Sequence, residues 1–199
     1  MKILFIRFSS IGDIVLTTSP LRSLKKGIPN AQIHYLTLEE YAPLLEGNSS
    51  IDRLHLLVRS TSVGQLISVG NYLNHCNFDI VVDMHDSLRS KIIRNRIKSG
   101  THYYLKKPRW KRFKLFEFHQ NDFQNDFSQL TLFHSVIKDI LPQEYHSSTS
   151  LFVSENEKEE AKLLLSKNGI KGEQYLVCIP GASWRNKTWG RDSYLELFK

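Results

Sequence analysis

The sequence predicts an α/β fold built on a doubly wound parallel sheet, and three observations predict it. Short, nearly continuous apolar runs recur along the chain, as strands buried on both faces require. Segments of helical periodicity alternate with those runs, which argues for parallel strands joined by crossover helices. The composition is that of an ordinary globular protein, with 199 residues, 41% hydrophobic and 24% charged, and it excludes collagen-like, low-complexity and wholly disordered classes.

Lys2 to Phe8 is the first such run. Ser9-Ser10-Ile11-Gly12-Asp13 breaks it, and a helical pattern continues through Ile14, Leu16, Leu21 and Leu24. Lys25 and Lys26 place cations at the negative end of that helix, Gly27 is its expected C-cap, and Pro20 an interior kink. Gln32–Thr37 reads as a second strand and Leu38 to Leu45 as a helix. Leu54–Val58 and Ile80–Asp83 read as further strands, with a helix over Val63–His75 between them.

The texture changes after Asp83. Ser87 to Phe116 holds eleven Lys and Arg residues and no acid, so these thirty residues outweigh the whole net charge of +7, and the rest of the chain sums to −4. An anion-binding surface is expected there, for nucleic acid, acidic lipid or a phosphorylated small molecule. Trp110, Phe113 and Phe116 stand at helical spacing, so they are expected in the core; base stacking and membrane contact are the alternatives.

A helix follows from Asn125 to Leu141, then a turn-rich stretch to Ser150. Ser154-Glu155-Asn156-Glu157 is a capping box opening a helix to about Lys167. Tyr175–Pro180 reads as a new buried strand, Gly181 to Lys187 as a polar loop, and a last helix starts near Arg191. One strand, a loop and a helix cannot bury a core. The expected organisation is therefore a first domain over 1–168 and the beginning of a second over 169–199. The alternative is that the last strand joins the first sheet.

Ligands of open α/β sheets bind beyond the carboxyl ends of the strands. Ser9 to Asp13 lies at such an end and opens a helix, where free N–H groups favour anions. Its single glycine makes it neither a dinucleotide fingerprint nor a Walker loop. Asp13 is a helix-capping carboxylate or a general base for a hydroxyl nucleophile. His85 and Asp86 follow the strand ending at Asp83 and are candidates for the same cleft, with helix capping an equal alternative for Asp86. The loop from Pro180 to Trp189, with Ser183, Lys187 and Thr188, suits phosphate binding. The eight histidines show no metal-ligand spacing, and no GxSxG nucleophile motif occurs. Two cysteines, Cys76 and Cys178, are too few for a disulfide framework and indicate a reduced compartment. No signal peptide or membrane-spanning run is present, so a cytoplasmic location is expected.

Lys2-Ile3-Leu4-Phe5-Ile6-Arg7, Ser9-Ser10-Ile11-Gly12-Asp13-Ile14-Val15 and Pro20-Leu21 resemble the opening of the ADP-heptose:lipopolysaccharide heptosyltransferases, glycosyltransferase family 9. The resemblance continues through Tyr41-Ala42-Pro43-Leu44-Leu45, Asn48, Ile51-Asp52-Arg53, Phe78-Asp79 to Asp83 and Leu88-Arg89-Ser90. It resumes at Pro180 to Trp184 and Lys187-Thr188-Trp189. It implies a GT-B architecture of two Rossmann-like domains facing a cleft, in a chain roughly 150 residues longer than this one. It also implies an inverting, metal-independent transfer with no cofactor. Asp13 would be the catalytic base. Ser9, Ser10, Ile11, Gly12, Ser183, Lys187 and Thr188 would bind substrate, with Lys187 meeting the diphosphate of an ADP-heptose donor. Arg89, Arg94, Arg109, Lys111 and Arg112 are the candidates for an anionic lipid-linked core oligosaccharide at the inner-membrane surface, and no nucleic-acid partner is expected. The rival reading is a non-catalytic module that binds RNA or acidic lipid through Arg89–Lys114.

Overall fold

The computed structural model describes residues 1–98, 100–123, 127–141, 148–170, 175–182 and 187–198. Five strands, β1 (Lys2–Ile6), β2 (Gln32–Leu38), β3 (Arg53–Leu57), β4 (Ile80–Asp83) and β5 (Thr101–Tyr104), form one sheet. All its pairings are parallel, and the spatial order is β3-β2-β1-β4-β5. The winding reverses at β1, with β2 and β3 to one side and β4 and β5 to the other. A crevice therefore opens beyond the carboxyl ends of β1 and β4. Their ends are level, since Ile6 stands opposite Asp83.

Side chains alternate across β1 and supply two cores. Ile3 and Phe5 face α1 (Ile11–Gly27) and α5 (Gln129–Ile137), meeting Ile14, Leu21, Leu24, Phe133 and Ile137. Leu4 and Ile6 face α2 (Val63–Asn74) and α3 (Leu88–Arg94), meeting Leu66, Leu73 and Ile93. Burial on both faces explains why the strands read as continuous apolar runs rather than alternating ones.

Several expectations change. Helix α1 runs through Pro20 and ends at Gly27 without the left-handed glycine cap. Ile28, at φ −137°, instead donates its N–H to the Leu24 carbonyl. The expected helix after β2 is a short 3₁₀ segment, Glu39–Leu44, because the Pro43 ring would clash with the carbonyl four residues back in an α-helix. Strand β5, inside the cationic stretch, had no apolar run to announce it.

The largest correction concerns α4 (Arg109–Phe118), none of whose residues is buried. Trp110 is 67% exposed and Phe116 74%, so the aromatics expected in the core stand on the surface. Helical spacing makes a core face only where that face is free of charge. Arg109, Lys111, Arg112 and Lys114 are distributed around the same ten residues, and burying any side would bury a cation.

By packing, the chain divides into Met1–Val153 and Ser154–Lys199. This grouping puts α6 (Glu155–Lys167) with the later residues, whereas the expected first domain extends to 168. Ser154 caps α6 through the predicted box, and α7 spans Arg191–Leu197. Residues 175–180 form no strand, and Leu176 and Ile179 are 89% and 81% exposed. An apolar run becomes a strand only where a neighbouring strand accepts its hydrogen bonds, and the described residues of this unit provide none.

Candidate active site

The site is built from the ends of β1 and β4. Arg7 leaves β1 almost fully buried, an arrangement that requires its charge to be satisfied. One guanidinium nitrogen, Nη1, donates to the Met84 carbonyl at 2.5 Å. The other, Nη2, meets Asp13 Oδ2 at 2.5 Å, and the guanidinium lies 5.3 Å from the centre of the Phe133 ring.

Asp13 sits in the first turn of α1. Its Oδ2 also faces the Ser10 N–H at 3.4 Å and Oγ–H at 3.1 Å, so the capping role holds. These contacts converge on one oxygen, and Oδ1 takes none of them. The Ser9–Ser10 peptide is cis. Ile11 is exposed, and a Cβ built on Gly12 would have nothing within 4 Å.

At the end of β4 the fully buried Asp83 carboxylate organises the turn. Its Oδ1 accepts the N–H groups of His85 and Asp86 at 3.0 and 2.9 Å. Its Oδ2 pairs with Arg94 at 3.2 Å. Asp86 takes a left-handed conformation, φ 46°, which Asp tolerates better than most residues. Its carboxylate pairs with Lys91 at 3.1 Å and Arg109 at 3.3 Å, and its carbonyl accepts from Lys107 and Arg109.

His85 packs edge-on against Phe8 with ring centres 4.9 Å apart. Burial, reinforced by the charges of Arg7, Lys107 and Arg89, holds its pKa down at about 4, so the imidazole is neutral near pH 7. Burial, with the fields of Arg7 and Arg109, also lowers the pKa of Lys107. The crevice therefore gathers Arg7, Arg89, Lys107 and Arg109 around the carboxylates of Asp13 and Asp86. Three buried nitrogens there, Nε of Arg7, Nδ1 of His85 and Nε of Arg89, have no hydrogen-bond partner among the described residues.

The structure brings Ser9, Ser10, Ile11, Gly12 and Asp13 together with His85, Asp86, Arg89 and Arg109. It separates the rest of the expected basic patch. Arg94 is held behind the turn by Asp83 and lies over the Tyr104 ring. Lys111 and Arg112 stand out on α4, and Arg112 donates to Gln129. Lys187 and Thr188 are exposed residues of the second unit, and Ser183 lies outside the described residues. Sequence reasoning missed the roles of Arg7 and Lys107. The signal for Arg7 was a cation closing an otherwise apolar strand.

Among the described residues, no group of three or more His, Cys, Asp and Glu could hold a metal ion. No described helix is long and apolar enough to cross a membrane. Cys76 and Cys178 are free thiols.

A doubly wound sheet with carboxylates and clustered cations at its switch point defines the class, an open α/β protein with a polar, charge-rich crevice. Residues 66–199 match the family model for glycosyltransferase family 9 (heptosyltransferase), and the chain belongs to that family. It is 23% identical to lipopolysaccharide heptosyltransferase 1 of Campylobacter coli, an alignment covering 100% of this chain and 60% of that protein. It is 22% identical to lipopolysaccharide heptosyltransferase 3 of Escherichia coli K12, covering 94% and 56%. Among solved structures it resembles a family 9 glycosyl transferase from Veillonella parvula, with TM-score 0.73, 19% identity and coverage of 98% and 58%. It also resembles the E. coli ADP-heptose LPS heptosyltransferase II, with TM-score 0.70, 20% identity and coverage of 99% and 60%. The chain thus spans no more than about 60% of the length of the curated relatives it matches.

Proposed function

We propose that this chain carries the acceptor side of a glycosyltransferase that moves a heptose from an ADP-sugar to a lipid-linked core oligosaccharide. The observation that carries the reading is Asp13, fixed through Oδ2 at the end of β1 while Oδ1 takes none of those contacts among the described residues. Family membership favours it over a non-catalytic anion-binding module.

In the proposed reaction an acceptor hydroxyl attacks the anomeric carbon of the donor with inversion. The new C–O bond forms as the bond to the diphosphate breaks, and ADP leaves with the electron pair. Asp13 takes the hydroxyl proton, a general-base role worth about 10²–10⁴ in rate. Lys187, on the second unit of a GT-B arrangement, stabilises charge developing on the diphosphate, with Ser183 and Thr188 as further phosphate contacts. The reaction is written without a resident metal or cofactor, as the resemblance implies. Arg89, Lys107 and Arg109 suit an acceptor bearing phosphates or sugar acids. Its lipid anchor would place the enzyme at the cytoplasmic face of a membrane.

The test is transfer from ADP-heptose to a lipid A–core acceptor, comparing the parent enzyme with Asp13→Asn. Loss of turnover with acceptor binding retained supports the assignment. Unchanged turnover sinks it.

A further inference from the structure

We propose that α4 is a docking element for an anionic phospholipid surface. The inference deepens the reading above, because a lipid-linked acceptor must be met at a membrane, but it stands on separate observations.

The first is exposure. Trp110, Phe113, Phe116 and Phe118 are between 46% and 74% exposed, on a helix with no buried residue. Four large rings in water on ten residues is far more apolar surface than scattered exposed hydrophobics explain. The second is charge. Arg109, Lys111, Arg112 and Lys114 are interleaved with those rings; Arg109 pairs with Asp86 and Lys114 with Asp122, so Lys111 and Arg112 carry the surface charge of the helix. Cations and rings need not lie on opposite faces at a lipid interface, because Lys and Arg extend apolar stems past buried rings to reach phosphate head groups.

Ring geometry favours lipid over nucleic acid. Trp110 and Phe113 stack on each other, centres 5.4 Å apart and planes 20° apart. Phe118 packs edge to face against Phe113 at 5.8 Å. A base-binding platform offers separate free ring faces; these rings spend faces on one another and present an apolar cluster, the form that enters a head-group layer.

Position is the third observation. The start of α4 is tied to the crevice, because Arg109 contacts both the carboxylate and the carbonyl of Asp86. A helix lying on the membrane would hold the crevice at the surface where a lipid-linked sugar emerges.

The test is sedimentation of the 199-residue chain with vesicles of one part phosphatidylglycerol to three of phosphatidylcholine, against vesicles of phosphatidylcholine alone. Emission of Trp110 is followed with Trp184→Phe and Trp189→Phe in place. Expected are binding to the anionic vesicles only, a blue shift of Trp110, and weakening by salt. Lys111→Gln with Arg112→Gln should lower partitioning about fivefold per charge. Trp110→Ser with Phe116→Ser should abolish partitioning while circular dichroism stays unchanged. Absence of anionic-vesicle binding overturns the proposal, as does binding that ignores the Trp110/Phe116 change. RNA binding with the same sensitivities, or self-association lost on that change, also overturns it by assigning α4 another occupant. Vesicle binding needs no donor sugar, so its failure leaves the transfer reaction untouched, and inactivity of Asp13→Asn is scored independently of it.

Discussion

The guanidinium of Arg7 and the carboxylate of Asp13 meet at 2.5 Å across the turn that joins β1 to α1. Arg7 is anchored on its other side by the Met84 carbonyl at the end of β4, so one buried cation ties both strands of the switch point to the proposed base. It meets Oδ2, the oxygen that also faces Ser10, and the Oδ1 atom takes none of these contacts.

In the proposed reaction Arg7 acts as a positioning residue, and Arg7→Met should lower kcat about 10²-fold by releasing the carboxylate from its orientation. It also leaves the Met84 carbonyl without its donor, at a cost of about 1–3 kcal/mol. Arg7→Lys keeps the charge but not the two-pronged reach, and should fall between parent and Arg7→Met in kcat. Transfer kinetics and urea unfolding measure the two effects separately. A kcat untouched by Arg7→Met, in a variant still folded, would remove the positioning role.

Gly12 separates folding from ligand approach. Its φ is not left-handed and a Cβ there meets nothing within 4 Å, so Gly12→Ala should leave stability unchanged or raise it by up to about 1 kcal/mol. The added methyl would stand in open space on the first turn of α1, beside Asp13. Acceptor KM should rise clearly while thermal unfolding is no earlier than in the parent. Parent-like kinetics would show that substrate does not come near the first turn of α1.

The fold was legible where one physical demand dominated. β1 and β4 are buried on both faces and announce themselves as apolar runs, and Ser154 with Glu157 announces the start of α6. β5 was hidden because Thr101–Tyr104 lies among cations and owes its state to pairing with β4. The α4 aromatics were misread because spacing says which residues share a side, not whether anything packs against it. At the site, Asp13 was legible from its place between a strand and a helix. Arg7 and Lys107 were not, because their significance depends on residues 77 and 21 positions away, Met84 and Asp86.

Asp83 and Arg94 belong to the frame of the site. The carboxylate is fully buried and holds the His85–Asp86 turn as well as Arg94. Asp83→Ala should cost about 3–5 kcal/mol, because it strands a largely buried guanidinium and frees two turn N–H groups. Adding Arg94→Met should recover part of that loss, since the stranded charge goes with it. Chemical denaturation of the two single variants and the double tests this, and strictly additive losses would mean the two side chains are energetically independent.

His34 and His55 supply the pH dependence of the sheet. Nδ1 of His34 lies 2.9 Å from Nε2 of His55, linking β2 to β3, with His34 packed on Phe78 and His55 on Tyr72. Burial, then the charge of neighbouring His34 and of Arg53, puts the pKa of His55 at about 4. Burial, then Lys2 and Arg53, lowers that of His34, against Asp52. Both fall below the unfolded value of about 6.5. Below that pH the unfolded chain binds protons that the folded chain refuses, so stability is complete above about pH 6.5 and declines as pH falls toward 4. Between about pH 6.5 and 5 most carboxylates remain ionised, and the histidines dominate the slope. His55→Gln should flatten the slope there by up to one bound proton. Urea midpoints across that interval decide it; stability that rises on acidification, or an unchanged slope in His55→Gln, would contradict a pair that folds neutral.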